Sequence, residues 1–270
     1  MQDTQSLLVC EGVTRRFGSL VAVDNISIAV KRGEILGIGG PNGAGKTTLF
    51  DVITGMTPAS AGRIVFDEQD ISRATADRIC QLGAARTFQL NAAFEHMTVQ
   101  ENVEIAAYFG RERRLFPGLK VGATTRRAAS EALELVGLGG KARMVVGELP
   151  VLDRKLLMIA GAMATAPKML FLDEPVGGLN AQEIDFIIDL MRKLSVGGLT
   201  IVLIEHVMRF LIALSSRVLI MHHGSLLFEG RPEQVAEDDR VVEVYLGHGA
   251  KDRLKRYFAV GVGKSHDTRA

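Results

Sequence analysis

Gly40-Pro41-Asn42-Gly43-Ala44-Gly45-Lys46-Thr47-Thr48 limits the possible folds of this chain more than any other stretch. It fits G-x-x-x-x-G-K-[ST], with Gly40, Gly45, Lys46 and Thr47 at the fixed places. A short apolar run, Ile35-Leu36-Gly37-Ile38, precedes it and reads as a strand. Thr48–Ile53 follows and reads as the first turns of a helix. Strand, glycine-rich loop and helix together make a phosphate cradle. Glycines let several N–H groups point at one phosphate, and the helix N-terminus adds partial positive charge. In this setting Lys46 reaches β- and γ-phosphates, and the Thr47 hydroxyl holds Mg²⁺. The expected ligand is therefore a nucleoside triphosphate.

A chain of 270 residues, 47% apolar, can bury a large core. Lys plus Arg number 32 against 31 Asp plus Glu, a balance that argues against a nucleic-acid partner. Cys10 and Cys80 lie far apart without metal-ligand spacing and read as reduced thiols of a cytosolic protein. The polar start, Met1–Ser6, lacks the apolar stretch of a secretory leader. No apolar run approaches the roughly 18 residues a membrane span needs, so membrane association is expected to go through partner proteins.

Residues 5–33 read as β-structure in short runs, Leu7–Cys10 and Val21–Val30, broken by Gly12, Gly18 and Asp24-Asn25. Gly62–Asp67 reads as a further strand. Between about 74 and 165 the pattern is helical, as in Ala128–Val136 with Gly137 as its stop. The basic stretch 110–122, with Arg111, Arg113, Arg114, Pro117 and Gly118, reads as a loop. Lys168–Leu172 and Leu199–Ile204 are continuous apolar runs, as parallel strands buried on both faces require. Val218–Met221, Gly224 and Leu226–Phe228 read as a closing hairpin, and the polar tail after Gly247 as poorly ordered. No internal repeat is present, so one nucleotide-binding module is expected.

Asp173-Glu174-Pro175 ends the first apolar run, which places two carboxylates at the carboxyl edge of a parallel sheet, where ligands of such sheets bind. Asp173 suits a Mg²⁺ ligand and Glu174 a group that polarises the attacking water. His206 stands at the end of the second run, in Ile204-Glu205-His206, where an imidazole can bond a γ-phosphate or serve structure alone. The Gln89 amide could reach both Mg²⁺ and water. Phe17 could stack on an adenine or belong to the core.

The order of these motifs resembles the ATP-binding subunits of ABC transporters, over residues 6–247. The branch serving uptake of branched-chain and hydrophobic amino acids is the most similar. The stretches that carry this are Arg15–Val23, Ala85-Arg86-Thr87-Phe88-Gln89, Gly178-Leu179-Asn180 and Val241–Gly247. The resemblance implies an α/β fold: a RecA-like P-loop core with an antiparallel β-subdomain and a helical subdomain at about 90–165, then a polar tail at 248–270. It implies that ATP and Mg²⁺ bind to residues 40–48, Phe17 and Val23, with Thr47, Gln89 and Asp173 toward the metal. Glu174, His206 and Gln89 are implied as catalytic, and Gly178-Leu179-Asn180-Ala181 as a loop that meets a partner. Implied partners are membrane permeases, a second ATPase subunit and, indirectly, a solute-binding protein. The implied place is the cytoplasmic face of the cell (inner) membrane, as a peripheral subunit.

The family's signature, Leu-Ser-Gly-Gly-Gln or Leu-Ala-Tyr-Gly-Gln, is replaced here by Leu149-Pro150-Val151-Leu152-Asp153. In the family this loop offers N–H groups and a hydroxyl to the γ-phosphate on the opposite subunit. Pro150 has neither, Leu152 adds bulk where glycine allows close approach, and Asp153 is expected to repel phosphate at a helix N-terminus. Val207 also replaces the aspartate that follows the family's histidine, which removes an expected support for His206. The expectation is a heterodimer with one competent and one degenerate site. The alternatives are a non-hydrolysing regulatory subunit and an ABC ATPase acting on DNA or ribosomes. The basic tail residues Lys251, Arg253, Lys255 and Arg256 read as a solvated tail or a lipid contact.

Overall fold

The computed structural model describes residues 6–87, 93–111 and 121–246. Two sheets meet across a shared core. The first joins β2 (Leu20–Lys31), β1 (Ser6–Phe17), β4 (Ala61–Phe66) and β5 (Gln69–Asp70) in that order, all antiparallel. The second runs β10 (Ser225–Gly230), β9 (Arg217–His222), β3 (Ile35–Gly39), β8 (Thr200–Ile204), β7 (Met169–Asp173), β6 (Ala84–Arg86). It is parallel except for β10, which closes it as an antiparallel hairpin partner of β9.

The continuous apolar runs have a direct explanation in this second sheet. Leu170 and Leu172 of β7 face one core, with Ile201 and Leu203 of β8 beside them. Met169 and Phe171, with Val202 and Ile204, face the other. A strand covered on both sides has no polar face to show. On the second face lies α1 (Lys46–Ile53), whose Phe50 meets Phe171 edge-on at 5.2 Å between ring centres. The first face is covered by α6 (Ala181–Val196), by α7 (Met208–Leu214), and by a helical group of α3 (Val99–Gly110), α4 (Ala123–Leu135) and α5 (Val151–Ala164). Thr98 opens α3 with a capping box to Glu101, and Asn180 opens α6 with one to Glu183. Gly137, at φ +80, ends α4, and Leu138 N–H bonds back to the Leu133 carbonyl. The short α8 (Asp239–Leu246) ends the described chain.

Two readings change. β1 and β2 are unbroken strands of 12 residues each, where shorter pieces were expected. Gly12 at φ +58 and Asn25 at φ +50 do not end them. They sit at register shifts between Cys10 and Val13 and between Val13 and Arg15, so the ladder bulges and continues. The region expected to be helical from 74 to 165 also contains a strand, β6, after the short helix α2 (Ala76–Leu82). Three residues are too few to show a period, and β6 forms because it pairs with Met169–Phe171.

Candidate functional site

The carboxyl ends of β3, β7 and β8 bring the site together. After β3 the loop takes positive φ at Gly40 (+146), Gly43 (+80) and Gly45 (+97) before α1 begins at Lys46. A Cβ at Gly40 would lie 2.3 Å from the Met221 carbonyl oxygen, and one at Gly45 would lie 2.1 Å from that of Ala22. These glycines are required by space as well as by dihedral angle. Gly224 N–H donates to the Ala44 carbonyl (3.0 Å), and Asp24 N–H to the Gly224 carbonyl (2.8 Å), which ties the loop to both sheets. No side chain caps α1, so its first N–H groups are left for an anion. Thr47 is exposed and Thr48 half-buried beside them, while Pro41, Asn42 and Ala44 complete the turn.

Lys46 is buried, and its ammonium donates to the carbonyls of Gly40 (2.7 Å) and Pro41 (2.9 Å). Burial lowers its pKa, opposed by the charges of Glu174 and Asp173. Asp173 ends β7, only 9% exposed, and accepts a 2.9 Å bond from Arg86, which also holds Asp51 at 2.6 Å. Burial raises the Asp173 carboxyl, and the guanidinium draws it back down. The position of this arginine, at the end of β6, was not foreseen as part of the site. Asp173 and the Thr47 hydroxyl are oxygen donors of the kind that Mg²⁺ takes together with phosphate oxygens and water, and the Arg86 bond to Asp173 would have to yield to such a cation.

Glu174 adopts φ +50, uncommon for a residue with a side chain. Its N–H bonds the Ile204 carbonyl at 3.0 Å, and its own carbonyl accepts from Lys155 Nζ at 3.0 Å. His206 Nδ1 lies 3.6 Å from Glu174 Oε1 and 3.8 Å from Glu205 Oε2. Val207 had removed an expected support for this histidine. The support comes from the residue before it: Glu205 accepts from the N–H groups of His206 (3.1 Å) and Val207 (3.2 Å). Glu205 was named only as part of Ile204-Glu205-His206 and Lys155 only within the helix after the signature; neither was given a role from sequence, because their partners lie far along the chain.

Phe17 is 47% exposed at the tip of the β1–β2 hairpin, which leaves its ring out of the core. Arg15, two residues back on the same face of the strand, holds its guanidinium 4.3 Å from the ring centre. Val23 is wholly buried in the core between the sheets. Strand alternation turns Ala22 the other way, and its backbone is what abuts Gly45. Gln89 and the 248–270 tail lie outside the described residues, as do 112–120 of the basic stretch.

The altered signature also reads differently in three dimensions. Leu149 is buried, Pro150 caps α5 without a side-chain bond, and Val151 is exposed. Asp153 is buried and ion-paired to Lys141, so its charge is turned inward and neutralised. The expected repulsion of phosphate is therefore withdrawn. The missing donors and the apolar Val151 surface remain.

The comparisons accord with this geometry. A model of the ABC transporter family matches residues 23–177, and one described as branched-chain amino acid ATP-binding cassette transporter matches 225–251. The chain belongs to the ABC transporter family. This ABC cassette is 37% identical to the high-affinity branched-chain amino acid transport ATP-binding protein LivG of Salmonella typhimurium, over 90% of this chain and 99% of that one. BraF of Pseudomonas aeruginosa, with the same description, is 34% identical over 90% and 99%. Among solved structures, an ABC transporter's ATP-binding cassette in its ADP conformation superimposes with a TM-score of 0.82. It is 32% identical, covering 91% of this chain and 100% of that one. The cassette is thus an ABC-type ATPase with the RecA-like P-loop fold. Among the described residues, no helix is long and apolar enough to cross a membrane.

Proposed function

We propose that this chain binds MgATP and hydrolyses it to energise an importer for branched-chain or other hydrophobic amino acids. The observation that carries this is the convergence of Lys46, Asp173, Glu174 and His206 at one sheet edge beside the glycine loop. The names of the relatives support the solute class. In the assembled transporter the loop N–H groups and Lys46 hold the β- and γ-phosphates, and Phe17 stacks on the adenine. Thr47, Asp173 and Gln89 would hold Mg²⁺, which would supply neutralising charge to the phosphates. Glu174 accepts a hydrogen bond from the attacking water, and His206 bonds the γ-phosphate and orients the carboxylate beside it.

The chain works as a peripheral subunit on the cytoplasmic face of the cell (inner) membrane, beneath permease subunits and fed indirectly by a solute-binding protein. Its ATP site is completed by the signature of a second, different ATPase. Its own signature, lacking a hydroxyl and one N–H at Pro150, serves the partner's ATP poorly. Hydrogen bonds to charged groups contribute about 1.5–3 kcal/mol each, so losing two slows that site roughly 10²–10⁴-fold.

The altered signature also favours a second reading, a non-hydrolysing regulatory subunit. Affinity purification of the tagged chain from gently solubilised membranes tests the assembly. Two permeases with one different ATPase are expected. Two copies of this chain per transporter would refute the heterodimer, and recovery of no membrane protein would refute the importer. Transport unaffected by Glu174→Gln would favour the regulatory reading.

A further inference from the structure

Glu205 is wholly buried, and the mechanism above does not use it. One oxygen accepts the Val176 N–H at 3.0 Å, and the other accepts those of His206 and Val207 at 3.1 and 3.2 Å. Val176 belongs to the loop after β7 that carries Glu174. His206 and Val207 belong to the loop after β8. A single carboxylate therefore bridges the two loops that carry the catalytic groups. A buried charge of this kind is costly without a counter-ion. Three N–H donors offset that cost, and Lys155, half-buried in the first turns of α5, adds positive charge to the same neighbourhood while donating to the Glu174 carbonyl at 3.0 Å. The strained backbone of Glu174 is thus held from both sides, its N–H by Ile204 and its carbonyl by Lys155. Such strain persists only where surrounding contacts fix it.

We infer that Glu205, together with Lys155 on the Glu174 carbonyl, is a positioning residue for hydrolysis that sets the Glu174 carboxylate against His206. This rests on the hydrolytic role proposed for Glu174. Because Lys155 stands on the helix that follows the signature, the same contact links the register of the catalytic loops to the placement of the helical group.

The test is steady-state hydrolysis by the purified transporter carrying Glu205→Gln in this chain, with MgATP affinity measured separately. The carboxamide keeps the shape but turns an N–H₂ toward one of the two loops, where only acceptors are useful. The expected result is a fall in kcat of about tenfold or more, with KM and nucleotide affinity within about twofold of wild type. Lys155→Gln leaves the three N–H contacts intact and is expected to lower kcat by a smaller factor, again at constant KM. It carries the test if Glu205→Gln does not fold. Unchanged kcat in both variants overturns the inference. So does a parallel loss of kcat, nucleotide affinity and thermal midpoint, which marks a purely structural carboxylate. Glu174→Gln, measured alongside, separates the two failures. If it too leaves hydrolysis intact, the hydrolytic reading falls first. If it silences hydrolysis and Glu205→Gln does not, only the positioning role falls.

Discussion

Lys46 shows how the site is prepared at the scale of one residue. Its ammonium is buried and held by two loop carbonyls, which leaves a donor for phosphate and means the side chain does not have to be ordered when phosphate arrives. Two charge-assisted bonds at about 1.5–3 kcal/mol each imply that Lys46→Ala weakens nucleotide binding by roughly 10²-fold or more. Equilibrium titration with a fluorescent ATP analogue checks this. Cys10 makes a separate case. Burial pushes its thiol up to about 12, against an unfolded value near 8.5. A raised thiol costs nothing below the unfolded value, and the stability it preserves is lost as pH climbs from there toward about 12. Native protein at pH 8 is therefore expected to leave Cys10 unlabelled by a thiol reagent, while denatured protein is labelled at both cysteines, as read by mass spectrometry.

At the scale of elements, the phosphate loop joins the two sheets, and its glycines pack against the backbone. Gly45→Ala would drive a Cβ to 2.1 Å from the Ala22 carbonyl at a positive φ. Overpacking and left-handed strain together cost about 2–5 kcal/mol, enough to lower the thermal midpoint by several degrees and abolish nucleotide binding. Calorimetry with and without MgATP tests both effects. What the sequence disclosed follows the same logic. The loop and the ends of β7 and β8 were legible because each is a local string of residues bordered by strands with no polar face. The bonds between distant residues were not. Arg86 and Asp173 lie 87 positions apart, and Glu205 and Val176 29 apart, and each pair meets only through the sheet order. The charge of Asp153 was misjudged because its partner, Lys141, lies beyond the helix that holds it.

At the scale of the whole molecule, the two halves of the nucleotide machinery differ. The phosphate loop, carboxylates and histidine converge at one sheet edge, whereas the stretch at the signature position presents Pro150, which has no N–H, and the exposed Val151. Pro150→Ser with Leu152→Gly is expected to raise hydrolysis at the partner's site and leave this chain's own site unchanged, as checked by turnover in assemblies silenced at one site at a time. Hydrolysis at this chain's own site is the central proposal. Its most direct test is the rate of MgATP hydrolysis by the purified transporter with Glu174→Gln in this chain alone. A loss of roughly 10²-fold or more with nucleotide binding retained is expected. Hydrolysis at the wild-type rate would contradict it.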